Sequence, residues 1–446
     1  MKTSRSFLLV IIIGFGFMPF EICAQGVFRA AVLKSNITPS NSKNLLGYAP
    51  RMSDGVRDSI YHKVVILHDG NNEIVLVSSD LARVSPSVYE RVANKLHKLT
   101  KIEKKDFWWT FTHTHSAPEV GPSEVVQLFL PERYEKPFDK EYTDFIEESL
   151  IRTIMEAREN LVPARMGIGW GFSNANVNRR ARDIDNKTFL GENPDGPIDR
   201  RIGLIRIDDE QNRPIVLISN YPIHPTVLPA NGTKISGEIP GVVAEYIENQ
   251  IGAPLLFING AEGNIGPRFS VSVAGDKRAD RFLNQFRELL GKKILEANEK
   301  IVSTTADVIF NTGSLIVETP MRNDLDINNW PKELGNYARK TSTGISMIKF
   351  PVSFLFINDD IAIWGTPSEL FCEISNQIRE NSPFPHTFYF GLTNGTLGYL
   401  PTKEEILLGG YEPSVSPFSP EAGDDLINEV SNYLNEKSLE KNLIIK

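Results

Sequence analysis

The sequence Phe107-Trp108-Trp109-Thr110-Phe111-Thr112-His113-Thr114-His115-Ser116-Ala117-Pro118 lies in the first third of a chain of 446 residues. Its aromatic and β-branched run over residues 107–112 predicts a buried strand, which the proline ends because it has no N–H. Side chains at positions i and i+2 of a strand point the same way, so His113 and His115 are predicted to face one cavity. The pair is either a metal-binding or catalytic site at the end of a strand, or two structural histidines that cap it.

Composition limits the class of protein. The chain is 41% hydrophobic with a net charge of −8 and an isoelectric point near 5.6. No basic block is present, which argues against nucleic acid as a partner. The length allows one large domain or two to three ordinary ones. Because no repeat or low-complexity linker divides the chain, we predict one large domain.

The N-terminus has the pattern of a targeting signal. Lys2 and Arg5 precede an apolar run over residues 7–20, which is too short for a convincing membrane span. We predict a signal peptide over residues 1–24, followed by export to a secreted or periplasmic location, with no transmembrane segment after cleavage. Cys23 raises lipoprotein anchoring as an alternative, although the residues before it fit a lipobox poorly.

Strand and helix patterns alternate over residues 25–446, which predicts an α/β fold of mixed β-sheets covered by helices. A polar, irregular stretch over residues 323–344 is the best candidate for an insertion or lid. Cys372 is the only cysteine after cleavage, so no intrachain disulfide is expected. It lies in an apolar helix pattern and is predicted to be a buried core residue.

Further polar residues follow apolar strands in the same way as the two histidines. His224, Glu369 and the loop over residues 259–267 share this context. Two histidines and a carboxylate suit a catalytic zinc ion that keeps one position open for water. Taken singly, His224 could be a turn residue between prolines, and Glu369 could be a helix N-terminal carboxylate.

Several elements, in their order along the chain, carry a family resemblance. They are Thr112-His113-Thr114-His115-Ser116-Ala117-Pro118, Asn178-Arg179, His224-Pro225, Ser236-Gly237-Glu238, Gly263, Pro267, Glu369 and Gly398-Tyr399. Over about residues 28–420, the sequence resembles the catalytic domain of neutral (non-lysosomal) ceramidases. The full enzymes add a C-terminal β-sandwich domain, whereas this sequence stops at residue 446, so we expect the catalytic domain alone.

The resemblance implies a reaction and a set of site residues. The reaction is hydrolysis of the ceramide amide to sphingosine and a fatty acid, a step of sphingolipid metabolism. His115 and Arg179 match active-site residues, and Tyr411 matches a tyrosine that holds the substrate carbonyl. The zinc ligands of the family fall on His113, His224, Glu369 and Tyr399.

The chemistry of these residue types agrees with amide hydrolysis. A zinc ion lowers the pKa of a bound water to about 7 and polarises the carbonyl. A tyrosine hydroxyl or an arginine beside the developing oxyanion stabilises charge that exists only in the transition state. His115, next to the ligand His113, is placed for proton transfer to the leaving amine.

One loop departs from the family pattern. Ceramidases carry a serine in a Phe-Ala-Gln-Ser-Asn-like string, where this chain has Gly260, and the Gly-Asp that follows is Gly263-Asn264. Three functions therefore stay open. The first is a ceramidase-type zinc amidohydrolase, and the second is the same site acting on a polar substrate such as an acyl-sugar or polysaccharide fragment. The third is a binding protein without turnover. In each case the partner is a small molecule, and for the enzymes it is a lipid or glycan amide.

Overall fold

The computed structural model describes residues 27–271 and 277–444, so the predicted signal peptide and Cys23 lie outside the described residues. The strands are β1 Arg29–Asn36, β2 Asn44–Leu45, β3 Arg51–Met52, β4 Gly55–Val56, β5 Tyr61–His68, β6 Glu73–Ser79, β7 Phe107–Phe111, β8 Val162–Phe172, β9 Asn176–Arg182, β10 Thr188–Asn193, β11 Arg201–Asp209, β12 Pro214–Tyr221, β13 Lys234–Ile235, β14 Leu255–Asn259, β15 Ile265–Pro267, β16 Phe310–Pro320, β17 Ala338–Lys340, β18 Ser346–Ile357, β19 Ile361–Gly365, β20 Glu369–Leu370, β21 His386–Phe390 and β22 Tyr399–Leu400. The α-helices are α1 Pro86–Thr100, α2 Lys140–Glu159, α3 Glu238–Ile251, α4 Arg278–Phe286, α5 Lys292–Asn298, α6 Cys372–Asn381, α7 Lys403–Leu408, α8 Tyr411–Ser414 and α9 Ala422–Ile444.

Two sheets pack face to face. The larger has eight strands in the order β14-β12-β11-β8-β1-β5-β6-β7, all antiparallel except for the pairs β12–β14 and β6–β7. The second contains β16, β18, β19 and β21, with β17 paired to β18. Apolar side chains of both sheets share one core, for example Trp108 of β7 with Phe390 of β21. The predicted class of mixed sheets with helices is confirmed.

Helices cover the outer faces of the sheets. Phe107, Trp109 and Phe111 point away from the second sheet and share a core with α1 and α2. The indole N–H of Trp109 donates to Ser79 Oγ at 2.8 Å, so its one polar group is satisfied inside this core. Because both faces of β7 are covered, its sequence is a continuous apolar run rather than an alternating one.

The larger sheet curls until its two edge strands lie side by side. Side chains, rather than a backbone ladder, join them. Lys63 Nζ of β5, two strands in from the edge strand β7, reaches across to donate to Leu255 O of β14 at 2.9 Å. Asn259 Nδ2, at the end of β14, donates to Thr112 O, just beyond β7, at 3.3 Å. This closure brings together loops that follow opposite edges of the sheet.

Other predictions about local structure have mixed outcomes. The stretch over residues 323–344 contains β17 and a 3₁₀ helix, Lys332–Tyr337, and buries Trp330 and Leu334. Its residues do not line the cavity described below, so the structure gives no support for a lid. Cys372 is buried as predicted, and burial raises the pKa of its thiol. Within the described ranges, no helix combines the length and apolar character needed to cross a bilayer.

Candidate metal centre and active site

His113 and His115 come together for a reason other than the one predicted. Strand β7 ends at Phe111, and His113 has a φ of +66°, in the left-handed region. The prediction that strand alternation aligns the two imidazoles is therefore wrong. The turn brings their Nε2 atoms to 3.3 Å instead, so the predicted pairing holds although its stated cause does not.

A buried carboxylate fixes the loop that follows the histidines. Glu238 Oε1 accepts from Ser116 Oγ at 2.9 Å, and its Oε2 accepts from the backbone N–H groups of Val227 and Leu228 at 2.9 and 3.2 Å. One side chain thus ties the loop after His115 to the loop after His224. Burial raises the pKa of Glu238 to about 8.

This pKa leads to a prediction about stability and pH. Between pH 4.5 and about 8 the folded state holds a proton on Glu238 that the unfolded state has released. The stabilisation is fully present below pH 4.5 and is lost as the pH rises through about 8, at a cost of the order of a few kcal/mol. In urea unfolding of the metal-free protein, we expect the wild-type midpoint to fall between pH 5 and pH 8.

Glu238→Gln is the matched variant, because its amide oxygen can still accept from the backbone N–H groups while its amide nitrogen donates to Ser116 Oγ. The urea midpoint of this variant should change much less between pH 5 and pH 8 than that of the wild type. The comparison also cancels the contribution of Asp58, whose pKa is likewise raised by burial. If the urea midpoint of Glu238→Gln falls between pH 5 and pH 8 as much as that of the wild type, Glu238 is ionised over this whole pH range.

The loop between β14 and β15 supports the next two candidate ligands. His224 Nδ1 donates to Glu262 O at 2.9 Å, and its backbone N–H donates to Ile265 O at 2.9 Å. A Cβ at Gly263 would lie 2.5 Å from Glu369 O. Only glycine therefore lets this loop pass against the short strand β20.

Glu369 and Tyr399 are brought together by backbone pairing. Strands β20 and β22 run parallel, and Glu369 lies opposite Tyr399 in their register. Both side chains are buried. The two-residue strands are too short to be recognised from sequence periodicity, which is why only the family resemblance pointed to Tyr399.

Four predicted ligands converge on one point. His113 Nε2 lies 3.1 Å from His224 Nε2 and 3.3 Å from Glu369 Oε2. His224 Nε2 lies 3.4 Å from Glu369 Oε2 and 3.4 Å from Tyr399 Oη. Nitrogen ligands bound to zinc at about 2.0–2.1 Å in a tetrahedron lie about 3.3–3.4 Å apart. The spacing therefore fits a single metal ion.

Protonation supports the same conclusion. His113 Nδ1 faces Ala82 O at 2.6 Å and His224 Nδ1 faces Glu262 O at 2.9 Å. A carbonyl oxygen only accepts, so both Nδ1 atoms carry a hydrogen, and each ring in its neutral form presents an Nε2 lone pair to the centre. Two such lone pairs and a carboxylate at close range form a set of donors that a cation can bind.

The pKa values describe the centre before a cation binds. Burial, with the charge of Arg179, lowers the pKa of His224 to about 3. Burial also opposes ionisation of Glu369, but the facing imidazoles of His113 and His224 outweigh it and hold the pKa of that carboxyl well below its ordinary value. The centre therefore presents a carboxylate and a neutral imidazole, which are the protonation states that metal ligands require.

His115 has different surroundings from the other two histidines. Its Nδ1 has no hydrogen-bond partner among the described residues, so its tautomer is not fixed. A Cβ at Gly47, where φ is +103°, would lie 2.5 Å from the imidazole, and the ring of Tyr48 packs edge-on at 4.8 Å. His115 is also close enough to His113 and His224 to complete a group of three imidazole ligands. Its position therefore allows either role, that of a metal ligand or that of a proton carrier.

Arg179 and Tyr411 complete the predicted set. Arg179 Nη2 donates to Tyr399 Oη at 3.1 Å, and its Nε donates to Glu412 Oε1 at 2.9 Å. The rings of Tyr399 and Tyr411 lie 6.0 Å apart, edge to face. Burial, together with the charge of Glu369, raises the pKa of Tyr411, so its phenol stays protonated and can donate a hydrogen bond.

The centre opens into a cavity of about 780 Å³. Six of the seven predicted site residues line it: His113, His115, Arg179, Glu369, Tyr399 and Tyr411. His224 lies behind them and is fully buried. The cavity therefore gives a small molecule access to one side of the metal position.

Gly260 does not lie on the wall of this cavity. A Cβ at this position would be 3.0 Å from Pro222 Cβ, so the local backbone favours glycine. Sequence reasoning also left out Gly47, Tyr48 and Glu412, which hold His115 and Arg179 in place. The sequence signal for Gly47 is the turn that Gly47-Tyr48-Ala49-Pro50-Arg51 indicates, and the signal for Glu412 is its place next to Tyr411.

Comparison with known families decides what kind of protein has this site. The model of the neutral/alkaline non-lysosomal ceramidase family, N-terminal part, matches residues 28–280, more than half of the chain. The chain belongs to this ceramidase family. The resemblance derived from the sequence motifs is confirmed, and membership supports a hydrolase.

Curated relatives of the same family are distant. Neutral ceramidase B of Dictyostelium discoideum is 26% identical over 219 residues, which cover 47% of this chain and 30% of that protein. Neutral ceramidase A of the same organism is 28% identical over 221 residues, covering 47% and 30%. The matched region thus spans less than a third of the length of these ceramidases.

Solved structures show the same fold over nearly the whole chain. The crystal structure of neutral ceramidase from Pseudomonas aeruginosa superposes with a TM-score of 0.72 at 16% identity, covering 93% of this chain and 75% of that one. A ceramidase complexed with C2 gives a TM-score of 0.72 at 16% identity, covering 92% and 76%. The ceramidase fold therefore extends beyond the region that the family model matches.

Proposed function

We propose that this protein is an exported, zinc-dependent amidohydrolase that cleaves the N-acyl bond of a ceramide-like lipid. The observation that carries the proposal is the convergence of His113, His224, Glu369 and Tyr399 on one point beside a cavity. Export rests on the predicted signal peptide alone.

The donor set fits zinc. Two neutral imidazoles, one carboxylate and one phenol oxygen are ligand types that zinc accepts, and they leave the cavity side open. When bound, the ion supplies Lewis-acid polarisation of the substrate carbonyl and makes a water acidic enough to attack it. His113, His224, Glu369 and Tyr399 would hold it.

Three further side chains take roles in the hydrolysis. His115 lines the cavity with an uncommitted Nδ1, so it can carry a proton to the leaving amine. Tyr411 donates to the carbonyl oxygen as negative charge develops there. Arg179 keeps Tyr399 oriented through its 3.1 Å hydrogen bond and adds positive charge at the same wall.

The lining of the cavity supports a lipid acyl chain. Its apolar side chains come from several separate segments: Val126, Leu130, Val177, Leu190, Leu228, Val271 and Val415. Burial of methylene groups against such a wall contributes about 0.8 kcal/mol for each group. A fatty acyl chain is a substrate part that gains from this surface.

A second candidate is the same chemistry on a polar N-acyl substrate, such as an acyl-sugar. The charged side chains of Arg83, Arg133 and Glu192 also line the cavity. No described carboxylate lies within salt-bridge distance of either arginine. These charges favour a head group more polar than that of ceramide.

The test combines metal analysis with substrate comparison. Protein purified without added metal is expected to contain about one zinc per chain by elemental analysis. It is then offered a short fluorescent ceramide and an N-acyl glucosamine with the same acyl chain, with release of the fatty acid as the readout. An efficiency of about 10⁴ M⁻¹s⁻¹ or more identifies the true class of substrate.

Two results would contradict the proposal. Absence of any transition metal, with no gain on reconstitution, would remove the metal site. A metal-loaded protein that hydrolyses neither substrate would favour the binding protein. N-terminal sequencing of the mature protein tests export separately, with Gln25 expected as the first residue.

A further inference from the structure

Glu262 is a buried carboxylate that neither the sequence motifs nor the proposed mechanism uses. It lies in the loop between β14 and β15, and its exposed fraction is 0%. Neither Oε1 nor Oε2 has a hydrogen-bond partner within residues 27–271 and 277–444. Its backbone carbonyl accepts from His224 Nδ1 at 2.9 Å, so the residue adjoins the metal centre.

The side chain of Glu262 is close to the proposed ligands. One of its carboxylate oxygens, a ring nitrogen of His113 and a carboxylate oxygen of Glu369 all lie within 4.8 Å of one another, a spacing that could hold a metal ion. Glu262 is not among the residues that line the cavity. The carboxylate therefore faces the centre from its closed side.

Close packing of the backbone shields this carboxylate from solvent. A Cβ at Gly391 would lie 3.0 Å from Glu262 Oε2 and 2.2 Å from Gly260 O, so the chain passes against the carboxylate with no room for a side chain. Arg179, the cation among the proposed site residues, already donates to Glu412 and Tyr399. The described protein groups therefore leave the Glu262 carboxylate without a hydrogen-bond partner.

An unpartnered carboxylate in such a place destabilises the folded state unless it is neutralised or faces a cation. Glu369 increases that cost when no metal is present, because like charges at close range repel. A cation between the two carboxylates removes both penalties at once. The arrangement is therefore one that metal binding stabilises and metal removal destabilises.

We propose that Glu262 is a further carboxylate ligand of the metal centre. The inference rests on the proposed zinc site and extends its donor set to two imidazoles, two carboxylates and the phenol of Tyr399. The extra carboxylate raises metal affinity, and because Glu262 does not line the cavity, the cavity side of the centre remains available to substrate.

The test measures zinc affinity by competition with a chromophoric chelator. Glu262→Gln keeps the shape of the side chain and removes its charge, so the dissociation constant for zinc should rise at least about tenfold, and up to about 100-fold. Glu124→Gln is the matched control, since Glu124 is also buried, at 6% exposure, but belongs to neither group of candidate ligands. The control should keep the wild-type affinity.

Thermal unfolding provides a second readout. Zinc should raise the melting temperature of the wild type more than that of Glu262→Gln, while the metal-free variant should be no less stable than the metal-free wild type. If Glu262→Gln does not fold, Glu262→Asp decides by the same measurements, because the shorter side chain withdraws the carboxylate and should also weaken binding.

The outcomes separate this inference from the proposed function. Wild-type zinc affinity in Glu262→Gln, or in Glu262→Asp where that variant is the one measured, would overturn the inference and leave a four-ligand amidohydrolase intact. A wild type that binds no metal would overturn both. Weaker zinc binding in the Glu262 variant alone, with Glu124→Gln unchanged, is the expected result.

Discussion

Replacing His113 by alanine is expected to remove the metal and the activity together, whereas His115→Ala should keep most of the metal and lose turnover by roughly 10²–10⁴-fold. The physical reason is the difference in their Nδ1 atoms. His113 donates to Ala82 O, which commits its Nε2 lone pair to the centre, while Nδ1 of His115 is uncommitted. Elemental analysis and hydrolysis rates of the two variants give the answer.

The control for this comparison is His224→Ala. In the wild type, His224 Nδ1 donates to Glu262 O, which commits its Nε2 to the centre as in His113. His224→Ala should therefore lose metal, as His113→Ala does. Circular dichroism before metal analysis checks that each variant is folded. Equal loss of metal from the His113 and His115 variants would mean that all three imidazoles are ligands, as their mutual distances allow.

Tyr411→Phe is expected to lower the catalytic constant by an amount comparable to loss of one oxyanion donor, about 3 kcal/mol or somewhat more than 100-fold, with little change in metal content. Tyr411 lines the cavity and keeps its proton, so its hydroxyl is available to the substrate oxygen. Tyr399→Phe should weaken metal binding as well, since Tyr399 Oη lies 3.4 Å from His224 Nε2.

The two phenylalanine variants serve as controls for each other. Both keep the ring and its packing, and the rings themselves are only 6.0 Å apart. A difference between them therefore reports the hydroxyl groups. Full activity in both phenylalanine variants would mean that Tyr399 and Tyr411 only pack. The metal site would then have three ligands, His113, His224 and Glu369.

Much of the fold was predictable because local patterns and tertiary packing agree. The FWWTF run forms β7, the Asp69-Gly70-Asn71-Asn72 turn joins β5 to β6, and the amphipathic stretch near residue 142 is α2. These elements bury the faces that their periodicity marks as apolar. The stretch over residues 323–344 was harder, because two buried side chains, Trp330 and Leu334, anchor an otherwise polar segment.

The predicted site residues were found partly by physical reasoning and partly by resemblance. Histidines after a buried strand are a local signal, and so is a glutamate after an apolar strand. Tyr399 and Tyr411 have no such signal, since a tyrosine in a loop is equally consistent with packing. Glu262 was missed because a carboxylate in a glycine-rich loop is expected to be exposed. Only the structure shows that it is buried and has no hydrogen-bond partner in the part of the chain that is described.

The sequence by itself determined the strands, the class of fold, the family and the residue types at the centre, because these depend on local periodicity and on motifs of adjacent residues. The tertiary structure decided how they meet. His113 and Asn259 follow opposite edges of one eight-stranded sheet, and only the curling of that sheet brings those edges into contact. The left-handed φ of His113 and the β20–β22 pairing then set the positions of the imidazoles, Glu369 and Tyr399. The contact between His113 and His224 joins residues 111 positions apart, which no local pattern can predict.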